Sequence, residues 1–210
     1  MPQPTSVRLE PRKSPVQARS AASVDAILEA TVQVLLSIGK DRLTTTRVAQ
    51  RAGVSVGTLY QYFPNKSALL QAALKHHLTE VSETVERVCR EQEGQKLQQM
   101  VTALMTAFLQ AKMKNVKTSV ALYAVSSDLD AVKIVQQIGN RSTQAITQML
   151  TTSSESLTTD PQLVAFMLQG IMTGVSRKLL ESPSPEKHLD TVRQQLISMA
   201  CAYLAACSSR

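Results

Sequence analysis

The run Leu43-Thr-Thr-Thr-Arg-Val-Ala-Gln-Arg-Ala-Gly-Val-Ser-Val-Gly-Thr-Leu-Tyr-Gln-Tyr-Phe-Pro-Asn-Lys66 constrains this chain more than any other stretch. Thr45 and Ser55 carry the side-chain oxygens that cap helix starts, and Gly53 and Pro64 stop the turns that follow, so the run divides into two short helices. Gly53 between them suits a positive-φ turn. Ala49 is small enough for two helices to meet closely, and Val48, Ala52, Val54 and Leu59 surround it with apolar atoms. This spacing is a helix-turn-helix, whose second helix lies in the major groove of DNA while the first crosses the backbone.

The outward face of the second helix carries Val56, Gly57, Thr58 and Gln61, none of them charged. Gly57 costs about 1 kcal/mol against alanine inside a helix, which is explained if a base edge or phosphate approaches the backbone there. Tyr60, Tyr62 and Lys66 supply donors for flanking phosphates, which fix register without reading sequence. Lys66 is unusual: a cation in the first turn of the next helix opposes the macrodipole unless an anion occupies that helix end.

Leu43 to Leu70, with Val54-Ser-Val-Gly-Thr-Leu-Tyr-Gln-Tyr-Phe-Pro-Asn-Lys-Ser-Ala-Leu-Leu70 inside it, resembles the N-terminal domain of tetracycline-repressor-type (TetR family) regulators. The resemblance covers roughly residues 20 to 75. The tail Tyr60-x-Tyr62-Phe63-x-Asn65-Lys66 makes it specific, since small helical pairs alone recur widely. It implies backbone contacts from Thr45, Thr58, Tyr60, Tyr62 and Lys66 and base contacts from Thr46, Val56, Gly57 and Gln61. Arg47 beside them suits either role, and Ser55 opens the same surface.

Charge distribution points the same way. Residues 1–70 hold nine Lys or Arg against four Asp or Glu, and the rest of the chain is nearly neutral within a net charge of +7. A basic head favours a nucleic-acid partner through phosphate neutralisation. Residues 1–19, with Pro2, Pro4, Pro11, Pro15, Arg8, Arg12, Lys13 and Arg19, read as a basic flexible arm. Residues 20–66 read as the DNA-binding domain and residues 67–210 as a domain for ligand binding and dimerisation.

The expected fold class is all-α, a three-helix head followed by a C-terminal helical bundle. Hydrophobic residues make up 43% of the 210, aromatics only 3%, and good helix formers abound. Apolar spacing predicts an amphipathic helix over Ser23–Ile38 ended by Gly39, and a long one after Pro64 ending by Gly94. Helices over Lys96–Met113, Thr118–Ser126 and Asp130–Leu150 follow, the last interrupted at Gly139. Two final apolar helices are expected from Pro161 to Leu180 and from Pro185 or Glu186 to about Ala206. Gly170 and Gly174 beside Met167, Ile171 and Val175, and Leu196, Met199 and Tyr203 on the last helix, form the expected homodimer interface. The family resemblance implies the same pair of helices.

A small cavity in the body is expected among His77, Met105, Phe108, Met113, Tyr123, Met149 and Met167, although each also suits ordinary core. Few charges on the apolar faces favour a neutral or weakly polar lipophile as the small-molecule effector. The resemblance implies that such a ligand tilts the helix after Lys66 and changes the spacing of two heads. The alternative is a regulator of the same fold that answers to a protein partner or to no ligand. No Gly-x-Ser-x-Gly, phosphate-binding glycine loop or metal-ligand spacing is present, so no enzyme, cofactor or metal site is expected. His76 and His77, being adjacent, point about 100° apart and cannot chelate one ion. Cys89, Cys201 and Cys207 show no framework spacing and are expected to be reduced. No signal peptide follows Met1, and the apolar stretches near 163–175 and 196–207 fall short of the roughly 20 residues that span a bilayer, so a cytoplasmic protein with no membrane partner is expected.

Two heads on a twofold axis require a near-palindromic double-stranded operator, its half-sites about 34 to 36 Å apart. The reading face offers Gln61 for adenine and methyl groups for thymine, with no arginine in the recognition helix, so DNA shape shares the specificity. Gln61→Ala is expected to cost about 1 to 3 kcal/mol of binding and to relax one base position. Binding across an operator library that stays equally selective contradicts this.

Overall fold

The computed structural model of the protein describes residues 18–126 and 129–208. The basic arm read over residues 1–19 lies outside them, apart from the backbone of its last two residues. The described residues form nine helices: α1 Ala18–Arg42, α2 Thr45–Ala52, α3 Val56–Tyr62, α4 Lys66–Glu91, α5 Leu97–Met113, α6 Val116–Ser126, α7 Leu129–Thr151, α8 Pro161–Leu180 and α9 Pro185–Ala206. They gather into two compact units, one from Met1–His76 with Ala121–Val132 and one from His77–Val120 with Lys133–Arg210.

In the first unit, the long helical run of α1 breaks at Gly39, as expected, and only a short turn lies beyond it. Gly39 takes φ 77°, ψ 168°, and a last turn containing Lys40 and Arg42 follows it. Ile27, Leu28, Ala30, Thr31, Val34 and Leu35 make its buried stripe, and α2 packs on it. Thr44, not Thr45, is the N-cap of α2: its side chain accepts the Arg47 amide, which leaves the Thr45 hydroxyl one residue inside the helix. Gly53 closes α2 at φ 68°, its amide bonding back to the carbonyls of Ala49 and Gln50. Ser55 caps α3 by accepting the Thr58 amide. Val48, Ala49, Leu59, Leu43 and Phe63 are sealed from solvent, so the two short helices share one core.

The first turns of α4 bury Ala68, Leu69, Leu70, Ala73 and Leu74, and the core of the second unit takes over at Val81. There α5 lies against both α8 and α9, which also pack on each other. Met100, Val101, Leu104, Met105 and Leu109 of α5, Val164, Ala165, Leu168 and Met172 of α8, and Leu196, Ala200 and Leu204 of α9 form its centre. Asp160 caps α8 through the Gln162 amide, with Pro161 in the first turn where its missing N–H costs nothing. α7 is continuous through Gly139, contrary to the expected interruption. The Gln169 side chain of α8 donates to the Gly139 carbonyl at 2.8 Å, and a Cβ at Gly139 would sit 3.1 Å from that amide nitrogen. Glycine there admits a neighbour and does not break the helix.

Two helices, Ala21–Arg42 and Pro161–Leu180, are long and apolar enough to cross a membrane by length and composition, which corrects the expectation that no stretch reaches that threshold. Each spends part of its apolar surface on the fold, 33% and 39% of the respective windows being buried. The three cysteines are free thiols; burial pushes the Cys89 thiol up to about 12.

Lys112 is the buried charge of this unit. It lies on α5 with 5% of its surface exposed, and burial pulls its ammonium down from 10.5 to about 8. Between those values the unfolded chain holds a proton that the folded chain has lost, so stability rises with pH across the window, and the cost of burial is fully present below about 8.

Gly53→Ala should destabilise by about 1 to 2 kcal/mol, because a left-handed φ is strained by any Cβ even where, as here, nothing crowds it. Chemical denaturation that shows no loss removes that reading. Denaturation at about pH 7 and 9 should show the protein gaining about 1 kcal/mol from Lys112, and Lys112→Met should lack that gain. The interval stops near 9 because ionisation of Cys89 in the unfolded chain acts in the opposite sense above it.

Candidate nucleic-acid interface and ligand cavity

The face of α3 away from Leu59 is open. Val56, Gly57, Tyr60 and Gln61 are exposed, and Thr58 is half-buried, its hydroxyl 2.8 Å from that of Ser55. A Cβ on Gly57 would meet only the Ser55 oxygen, at 3.7 Å, so the backbone of this first turn is free to be approached. Thr45 at the start of α2 and Tyr60 on α3 join hydroxyls at 3.0 Å, which ties the two helices together on the surface. Thr46 is exposed beside them, and Tyr62 is half-buried with its ring 6.4 Å from that of Phe63.

The cations are placed differently from what Lys66 alone suggested. Lys66 Nζ donates to the Asp41 carbonyl at 3.2 Å, and Arg47 Nη1 donates to the Arg42 carbonyl at 2.9 Å. Both therefore reach carbonyls of the short turn that follows Gly39, where helix-end acceptors favour a donor. No anion at the start of α4 is needed to explain Lys66. An ammonium offers three protons, so Lys66 keeps donors beyond this bond. Arg51 bonds Gln33 on α1 at 2.6 Å and holds the other end of α2.

In the second unit a cavity of about 310 Å³ lies among α4, α5, α7 and α8. Val81, Val85, Phe108, Ile138 and Met172 supply its apolar wall, and Phe166, Gly170 and Thr173 stand where it meets the surface. Ser82 and Ser142, both in the wall, join hydroxyls at 3.0 Å, and Ser82 also donates to Glu86 at 3.0 Å. Glu86 is in turn paired with Arg141 at 2.9 Å. Lys112 is the one charged side chain among the wall residues.

Of the seven side chains expected around a cavity, Phe108 walls this one. Met105 and Met149 are sealed in the core, at 0% and 1% exposure. His77 bonds Ser119 at 3.1 Å, and Met113 is half-buried; neither walls the cavity. Tyr123 belongs to the first unit, and Met167 is exposed on α8. Methionine content marked apolar faces without telling which were already filled. Sequence reasoning missed Lys112, Ser82, Ser142 and Gln169. A signal existed for the first: Met100, Leu104, Phe108 and Lys112 are spaced by four, so the lysine continues the apolar stripe of α5.

The residues expected at a dimer interface also divide. Gly170, Gly174, Met167 and Met199 lie open, joined by Leu163 at 50% and Phe166 at 66% exposure. Ile171, Val175 and Tyr203 are half-buried against the core. Leu196 is corrected to the interior of its own chain, at 1% exposure, because it is spent in the core that α9 shares with α5 and α8.

Residues 27–73 match the family described as bacterial regulatory proteins, tetR family, and residues 96–204 match the tetracyclin repressor-like C-terminal domain. The HTH-type transcriptional regulator BetI 1 of Chromohalobacter salexigens is 27% identical over 118 residues, 55% of this chain and 58% of that one. This chain thus spans little more than half the length of that relative. A TetR-family structure from Mesorhizobium loti superposes with TM-score 0.75 at 20% identity, covering 92% of this chain and all of the other. SmeT, the repressor of a Stenotrophomonas maltophilia multidrug efflux pump, superposes with TM-score 0.65 at 20% identity over 89% of this chain and 90% of its own, and is also known as a complex with triclosan. With the second match alone covering more than half of its 210 residues, and a helix-turn-helix of the same kind at its head, the chain belongs to the TetR family of bacterial regulators.

Proposed function

We propose that this protein is a cytoplasmic, homodimeric transcriptional repressor that reads a near-palindromic operator with α3 and is released when a small molecule fills the cavity among α4, α5, α7 and α8. The observation that carries the DNA-binding reading is the uncovered face of α3, with Gln61, Val56 and Gly57 exposed and hydroxyls and cations of Thr45, Tyr60, Arg47 and Lys66 around it. Such a surface offers base readout in the centre and phosphate contacts at the edge. Thr46, Ser55, Thr58 and Tyr62 complete the proposed contact set.

Dimerisation is supported by the open apolar strip Leu163, Phe166, Met167, Gly170, Gly174 and Met199, since single chains in water rarely leave so many large apolar groups together. Control by a small molecule is supported by the cavity volume, at the lower end of the roughly 300 to 1,000 Å³ of ligand sites, and by SmeT having been seen with triclosan. The cavity wall includes Leu78, Val81, Ser82 and Val85 of α4, the helix that follows the proposed reading helix in sequence.

Selection of bound sequences from random DNA should return inverted half-sites whose centres lie about one helical turn, 34 to 36 Å, or a multiple of it apart. Affinity for the selected site should fall steeply with salt as phosphate contacts are screened. Enrichment of no sequence, or of a single unpaired half-site bound by a monomer at every protein concentration, refutes the proposal.

A further inference from the structure

We infer that the cavity takes a lipophilic carboxylate, with the apolar body along Val81, Val85, Phe108 and Met172 and the head group at Lys112. This rests on reading the cavity as the effector site and narrows that reading. It also reverses the sequence expectation of a neutral or weakly polar ligand.

Lys112 is 95% buried, and the wall residues include no acidic side chain, so the only charge the wall presents to an occupant is positive. An ammonium in an apolar wall acts on an anion through a low effective dielectric, where attraction is several times stronger than in water. The remaining polar wall groups are neutral: Ser82 bonds Ser142 and, behind the wall, Glu86, whose charge Arg141 meets, and the Gln169 side chain bonds Gly139 and Thr143. They tune shape and add no second charge. A doubly charged head such as a phosphate monoester has one lysine and no other cation to meet it, and a lipophilic cation meets like charge. A cavity of about 310 Å³ suits a medium-chain acid better than a large conjugate.

Sodium octanoate, n-octanol and octylammonium chloride, matched in chain length, are titrated by calorimetry and thermal unfolding into the full-length protein and into Lys112→Met. The wild type should bind octanoate about tenfold or more tightly than octanol and should not bind octylammonium. In Lys112→Met the advantage of octanoate over octanol should vanish while octanol still binds. Octanol or octylammonium equalling octanoate on the wild type overturns the carboxylate assignment and leaves the cavity as a ligand site; octanoate binding both proteins equally does the same. Failure of every probe to bind overturns the cavity reading and the assignment together. If Lys112→Met does not fold, the three probes on the wild type decide the question alone.

Discussion

The two shortest helices of this protein cannot persist by themselves. At 8 and 7 residues, α2 and α3 are below the length at which an isolated helix is stable in water, because nucleation costs more than so few hydrogen bonds return. Burial of Val48, Ala49 and Leu59, with Leu43 and Phe63 closing the ends, supplies what local bonding does not. Ala49 matters by being small, since a larger side chain at a fully sealed position would push the helices apart. The outward face of α3 is usable only because its inward face is spent in this way.

Charge is handled by the same economy of helix ends. Lys66 and Arg47 come from different helices yet both donate to the last carbonyls of α1. They help fix how α1, α2 and α4 meet. Structural capping alone accounts for both placements.

In the second unit α5 has two faces with different work. Val101, Met105 and Leu109 are sealed against α8 and α9, and Phe108 and Lys112 wall the cavity. Keeping that space open costs stability, since its lining forgoes packing contacts, and keeping an ammonium there costs more. α8 is similarly divided: Val164, Ala165, Leu168 and Met172 go to the core, and Leu163, Phe166, Met167 and Gly170 stay open. Features that lower the stability of a lone chain are concentrated where a ligand or a second chain would restore it.

Local chemistry was enough to read the all-helical class, the helix-turn-helix and the ends of α3, α8 and α9, because caps, glycine turns and proline stops act within a few residues. Periodicity also announced that α5, α8 and α9 are apolar. It did not say what covers each face. Leu196 and Met199 stand three apart on α9, yet one is sealed and the other open; Met105 and Phe108 are three apart on α5, yet one fills the core and the other walls a cavity. Gly139 read as a break and is a seat for Gln169. These outcomes depend on which neighbouring helix arrives at a given angle and how far its side chains reach. Residues close in sequence settled the turns and caps; the burial of Lys112 was decided only when four helices converged around it.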